Sequence, residues 1–181
     1  MADRQALSEL QARLASRLQA ARDEGPSVAW LAAESAGVRY LFPLAQAGEI
    51  FPWAPLQPVP YTAPWFLGVA SLRGNLAGVV DPVLFAGVDD DAASPAARRP
   101  QAQAAESSLL TLNTALGVPC ALKVDRLLGL RGGDDFTSTA PRADGAPAWY
   151  GGIYTDGRQQ RWQEIDLQAL AADPRFLHIA A

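Results

Sequence analysis

Reactive and metal-binding side chains are scarce in this chain, whose 181 residues include one cysteine, one histidine, one methionine and one lysine. The lone thiol, Cys120, cannot close an intramolecular disulfide, and with only His178 available there is no Cys/His spacing for a structural zinc site. Charge is modest too: 15 Lys and Arg stand against 19 Asp and Glu, a formal net charge of -4. Nucleic acid is therefore not an expected partner, because displacing counterions from a polyanion takes clustered Lys and Arg, and no basic stripe runs through the sequence. No apolar run approaches the ~18 residues of a membrane span. Residues 1–22 also lack the continuous apolar core of a signal peptide. A reducing, cytoplasmic setting without direct membrane insertion is the expectation.

Signatures of catalysis are missing as well. Nucleophilic chemistry needs a serine or cysteine beside a proton acceptor, usually histidine, and His178 stands alone in the C-terminal tail. There is no G-x-S-x-G elbow, and Lys123 follows Ala121-Leu122 rather than a glycine-rich phosphate loop. The triplet Asp89-Asp90-Asp91 lies in an aperiodic stretch where carboxylates are solvated, and Asp134-Asp135 falls in an expected loop. Cys120 sits in an apolar run from Val118 to Leu122, which suits a buried, inert thiol. No catalytic, metal-binding or cofactor-binding residue is expected, and the chain reads as a binding protein rather than an enzyme.

What is present is enough apolar material for a core: 49% hydrophobic residues against 19% charged. Leu7, Leu10, Leu14, Leu18 and Ala21 recur at spacings of three and four, which predicts an amphipathic helix over 3–22, stopped by Gly25-Pro26. An N-terminal helical unit, 1–24, is thus set apart from a domain spanning 25–178. Beyond Pro26 short β-branched and aromatic runs broken by Gly and Pro predict strands near 28–33, 38–42, 49–51, 66–72, 76–81, 108–112, 118–124, 127–131, 149–154 and 160–165. Five prolines between 52 and 64 keep that segment out of any sheet centre. Residues 87–106 and 132–147 read as loops, the first dividing a lobe at about 38–106 from one at about 107–165. Asp166 is placed to cap a short helix over 167–172, ended by Pro174. Some ten short strands and few helices argue for an all-β fold of barrels or a sandwich.

The most informative stretch is Trp65-Phe66-Leu67-Gly68-Val69-Ala70-Ser71-Leu72-Arg73-Gly74-Asn75-Leu76-Ala77-Gly78-Val79-Val80-Asp81. It predicts a hairpin of two apolar strands with Arg73, Gly74 and Asn75 at the turn and a carboxylate closing the second strand. An arginine beside such a turn is held out of the core, and its planar fork suits a carboxylate or backbone carbonyls of another chain. The stretch resembles the CheW-like domain family, in which a segment Gly-Val-x-Asn-Leu-Arg-Gly precedes an apolar strand ending in Asp. Glu49-Ile50 resembles the family's Glu-Ile upstream of that hairpin, and Pro58-Val59-Pro60 its proline-containing approach. Cys120 to Leu128, Trp149-Tyr150-Gly151-Gly152-Ile153 and Ile165-Asp166-Leu167 are similar to later strands and a short helix, so that the resemblance spans about 27–172. Ser71, Gly78 and Pro82 depart from the pattern, where the family usually has Asn, Pro and Leu.

The resemblance implies two packed SH3-like five-stranded β-barrels with an N-terminal helix and a short C-terminal helix. It implies a non-catalytic adaptor that couples methyl-accepting chemoreceptors to a CheA-type histidine kinase in chemotaxis or type IV pilus twitching signalling, recruited to membrane-associated receptor arrays. The N-terminal extension, the Trp-Phe-Leu-Gly approach and Phe176-Leu177 are most similar to PilI-type members serving twitching systems. By the same resemblance Arg73 and Gly74, with Asn75 beside them, face the receptor, and Glu49 and Ile50 lie near receptor and kinase contacts. Two other readings stand beside it: a pilus-associated structural protein of the same fold, and a small-molecule binder with a pocket between the barrels.

Overall fold

The computed structural model describes residues 30–87 and 107–181. The expected N-terminal helix, the first two residues of the first expected strand, and residues 88–106 of the first expected loop lie outside the described residues. Within them the chain runs β1 (Trp30–Ser35), β2 (Val38–Pro43), β3 (Ala47–Pro52), β4 (Phe66–Leu72), β5 (Asn75–Val80), α1 (Pro82–Ala86), β6 (Ser108–Leu112), β7 (Cys120–Val124), β8 (Arg126–Arg131), β9 (Phe136–Ala140), β10 (Tyr150–Asp156), β11 (Arg161–Ile165), α2 (Leu167–Ala172) and α3 (Pro174–Leu177).

Two sheets result, one of six strands in the order β8-β1-β2-β11-β10-β9 and one of five in the order β3-β6-β7-β5-β4. One sheet therefore carries a strand more than the expected five. The expected division into lobes at residue 107 coincides with neither sheet. β6 and β7, which follow that boundary, pair with β3 and β5, while β1 and β2 pair with β8 and β11. The pairing of β2 with β11 and of β5 with β7 is parallel, and a parallel partner must come from a distant part of the chain. The interleaving follows from that requirement.

Burial explains why the strands read as apolar runs rather than clean alternations. On β1, Trp30 and Ala32 point into a cluster with Leu41 and Trp162 inside the six-stranded sheet, while Leu31 and Ala33 point into the central core. On β7, Ala121 joins Ala70, Leu72, Ala77, Val79 and Leu109 inside the five-stranded sheet, and Cys120, Leu122 and Val124 join the central core. A strand covered on both faces needs apolar residues at consecutive positions. The three helices seal the central core with Phe85, Leu167, Leu170 and Phe176, and Trp65 packs against both Phe85 and Phe176 at ring-centroid distances of 4.9 and 6.1 Å.

Three local expectations need correction. Residues 132–147 contain β9 rather than only loop, because its Thr-Ser-Thr centre faces solvent at a sheet edge and offers no apolar pattern. Asp81 does not extend β5; its carboxylate accepts from the backbone N–H groups of Val83 and Leu84 and starts α1, with Pro82 at the first helical position. α2 ends ahead of Pro174 as expected, but the tail beyond it is not free of structure, because Pro174 begins α3 behind the capping side chain of Asp173.

Candidate partner-binding site

The β4–β5 hairpin closes through a two-residue turn: Leu72 pairs with Asn75, leaving Arg73 and Gly74 at φ 49° and 83°. Positive φ at both central residues is the geometry that matches the twist of a hairpin, and glycine adopts it without strain. Arg73 has no such freedom, so its left-handed backbone costs of the order of 1 kcal/mol. The turn holds its side chain outward. Asn75 belongs to the first position of β5 rather than to the turn itself.

Glu49 is delivered from the other side of the sheet. Its backbone N–H donates to Thr111 Oγ1 at 2.8 Å, and the Thr111 hydroxyl donates to the Glu49 carbonyl at 3.1 Å, clamping β3 onto β6. Arg73 Nη1 lies 2.6 Å from Glu49 Oε2, and the guanidinium sits 5.5 Å from the centroid of the Phe51 ring. In a flat sheet β3 and β5, three strand spacings apart, would be separated by about 14 Å. Contact from the β4–β5 turn to β3, with the backbone bridge between Gln57, just past β3, and Val69 of β4, shows that the five-stranded sheet curls until its edges approach. Ala70, Leu72, Ala77, Val79, Leu109 and Ala121 fill the inside of the curl, with Phe51 and Trp53 packed against them.

At the mouth of the curl lies a cleft of about 700 Å³. Glu49, Arg73 and Asn75 line it together with Leu76, Thr111 and Val118. Of the five residues singled out in the sequence, these three are thus brought together, whereas Ile50, 44% exposed, and Gly74 flank the cleft without lining it. Leu76, Thr111 and Phe51 were not legible as site residues. Leu76 sits in an apolar strand and reads as core, yet it is 69% exposed, and nothing short of the fold reveals that.

The remaining polar features are structural. Lys123, the chain's one lysine, lies 3.3 Å from Asp81 Oδ2 and 3.4 Å from Asp125 Oδ1, and Asp125 Oδ2 accepts from the Ala36 N–H at 2.8 Å. That network joins the cap of α1, β7 and the β1–β2 turn across the two sheets. Burial pushes the Cys120 thiol from 9.0 up to about 12, against a smaller opposing hydrogen bond from Ala121. His178 is exposed, and no group of three or more metal-ligating side chains occurs among the described residues. Among those residues, too, no helix is long and apolar enough to cross a membrane.

Two sheets on a shared core, with a cleft at the curled mouth of one and an exposed ion pair over it, define an all-β domain built around a surface rather than an enclosed pocket. The family model for the CheW-like domain matches residues 30–175, and the chain belongs to that family. Among solved structures, the scaffolding protein TtCheW from Thermoanaerobacter tengcongensis is similar with a TM-score of 0.57 at 17% identity, over 77% of this chain and 88% of that one. That likeness is one of fold. A comparison with curated proteins gave no match. At the level of the family, the fold is that of a chemotaxis scaffold.

Proposed function

We propose that this protein is a non-catalytic adaptor that couples chemoreceptors to a CheA-type histidine kinase, and that it engages a partner through Arg73, Glu49 and Asn75 with Ile50 and Gly74 at the margin. The observation that carries this reading is the exposed Arg73–Glu49 pair over an open cleft, on the hairpin by which the sequence resembles the family. The tight turn fixes where the Arg73 backbone stands, and its planar fork there suits a carboxylate or backbone carbonyls of a partner. Membership in the CheW-like family supports the adaptor class. The N-terminal segment and the Phe176-Leu177 tail support the finer assignment to a type IV pilus twitching system, with the protein recruited to receptor arrays at the membrane.

A pull-down from lysate on the purified full chain tests the reading. Recovery of a histidine kinase and a chemoreceptor supports it; recovery of pilus assembly proteins alone favours a structural role, and a co-purifying metabolite favours the small-molecule binder. Arg73→Glu sharpens the result. With the side chain 74% exposed, the change alters stability by no more than about 1 kcal/mol, yet it places a carboxylate where a donor fork is needed. An unchanged melting curve with recruitment reduced more than about tenfold, equivalent to ~1.4 kcal/mol, is the expected outcome. Unaltered recruitment would refute the assignment of this surface.

A further inference from the structure

One edge of the six-stranded sheet is open and apolar. β8 ends the strand order, and among the described residues no backbone pairs with its outer side. Leu130 stands on it 67% exposed, directly across from Leu31. Leu31 belongs to the central core and pairs in turn with buried Phe42, so Leu130 carries the core face of the sheet out to its rim. Leu44, 40% exposed, follows two positions beyond Phe42. Two strand spacings separate β8 from β2, which puts the two leucines about 10–12 Å apart, the width of one helix with its side chains. Neither leucine lines the Arg73–Glu49 cleft.

We propose that the chain's own N-terminal segment, residues 3–22, covers this rim, laid along β8 as a helix with Leu7, Leu10, Leu14 and Leu18 against the two leucines. The point of chain entry selects this occupant. β1 starts at Trp30, which pairs with Pro43 on one side and Arg131 on the other, so the connection leaves the sheet between Leu44 and Leu130. Only residues 23–29 intervene, and they span at most ~25 Å, with Gly25-Pro26 to turn the path back. A tether that short holds the segment at an effective concentration on the order of millimolar, so a small apolar contact suffices. Charge selects the same occupant. In a helix Arg13 and Arg17 fall on one flank of the leucine stripe. Asp134, exposed and without a cation among the described residues, lies with Asp135 in the turn that follows β8. A helix over an apolar edge strand also removes the template on which a second chain would add.

The test follows tryptic cleavage after Arg13 and Arg17 in the full chain, together with amide exchange over β8, for wild type, Leu130→Glu, Leu14→Glu and Leu177→Glu. Leu177, 55% exposed on α3, controls for an added surface charge. Leu130→Glu and Leu14→Glu each set an unpaired carboxylate into the apolar contact, and each should speed cleavage by more than about tenfold and raise exchange over residues 126–131. Leu177→Glu should match wild type. Leu14→Glu attacks the contact from the opposite side to Leu130→Glu, so a folding defect in one variant does not mimic the result. A wild-type rate equal to that of Leu14→Glu overturns the proposal and leaves the rim for another protein. A Leu130→Glu rate equal to wild type overturns it by placing the segment elsewhere. Protection that strengthens with protein concentration would seat the segment on a second copy and overturn docking within one chain.

Discussion

Cys120 gives the sharpest quantitative test of the packing. It occupies the first position of β7, 6% exposed, and although it borders the cleft its thiol belongs to the central core. Burial raises its pKa from 9.0 to about 12. For an acid whose folded value lies above the unfolded one, the stabilisation is complete below pH 9. It is lost as pH rises toward 12, because the unfolded chain has released a proton that the folded chain retains. At about 1.4 kcal/mol per pH unit the loss reaches ~2 kcal/mol at pH 10.5 and ~4 kcal/mol by pH 12. Burial also raises Tyr40 and Tyr150, which add a loss of the same sign above pH 10.0. Urea unfolding at pH 7, 9 and 10.5 of wild type and Cys120→Ala separates the contributions, since the tyrosine part is common to both. The wild type should lose ~2 kcal/mol more than the variant by pH 10.5. A thiol reagent at pH 8 should label the native protein roughly a thousandfold more slowly than the urea-unfolded one, in line with the depleted thiolate. Equal alkaline slopes, or native labelling within about tenfold of the unfolded rate, would refute the burial argument.

Three further outcomes are expected. Lys123→Met leaves Asp81 and Asp125 without the cation between them, with side chains 12% and 23% exposed, and should cost ~2–3 kcal/mol in denaturant unfolding; an unchanged midpoint would show that the network is idle. Gly68→Ala should cost ~2–4 kcal/mol, because Gly68 sits at φ 134° and an added Cβ would meet the Gln57 carbonyl oxygen at 2.6 Å. A loss below about 0.5 kcal/mol would mean that the strand approach at Gln57 relaxes freely. Removal of residues 1–24 should leave a cooperative thermal transition and a β-type circular dichroism spectrum, and an insoluble product would assign Leu7, Leu10, Leu14 and Leu18 to the core.

Legibility tracked how locally each feature is encoded. β4 and β6 were readable to the residue, and β1, β2, β3, β5, β7, β8, β10 and β11 to within one or two positions, because runs such as Phe66 to Leu72 are bounded by Pro, Gly or Asn. The α2 cap was readable because Asp166 accepts from Gln168 and Ala169, neighbours along the chain. Asp81-Pro82 carried the same kind of signal for α1, an acceptor followed by Pro, but the apolar strand before it drew Asp81 into β5. β9 had no signal to find. An edge strand with four of its five side chains exposed needs no apolar residues, and its only requirement is a partner in β10.

By itself the sequence determined the β character of the chain, the hairpin and the outward Arg73, all of which follow from neighbours within a few residues. Tertiary structure alone decided the rest. Which strands share a sheet depends on parallel pairings of β2 with β11 and β5 with β7, each joining segments whose separation leaves no local trace. That Glu49 meets Arg73, and that Leu76 stands in solvent beside buried Ala77, depends on how far the five-stranded sheet curls. Curl is a property of the whole sheet, set by twist accumulated over its strands and by the volume of the side chains inside it, and no window of residues records it.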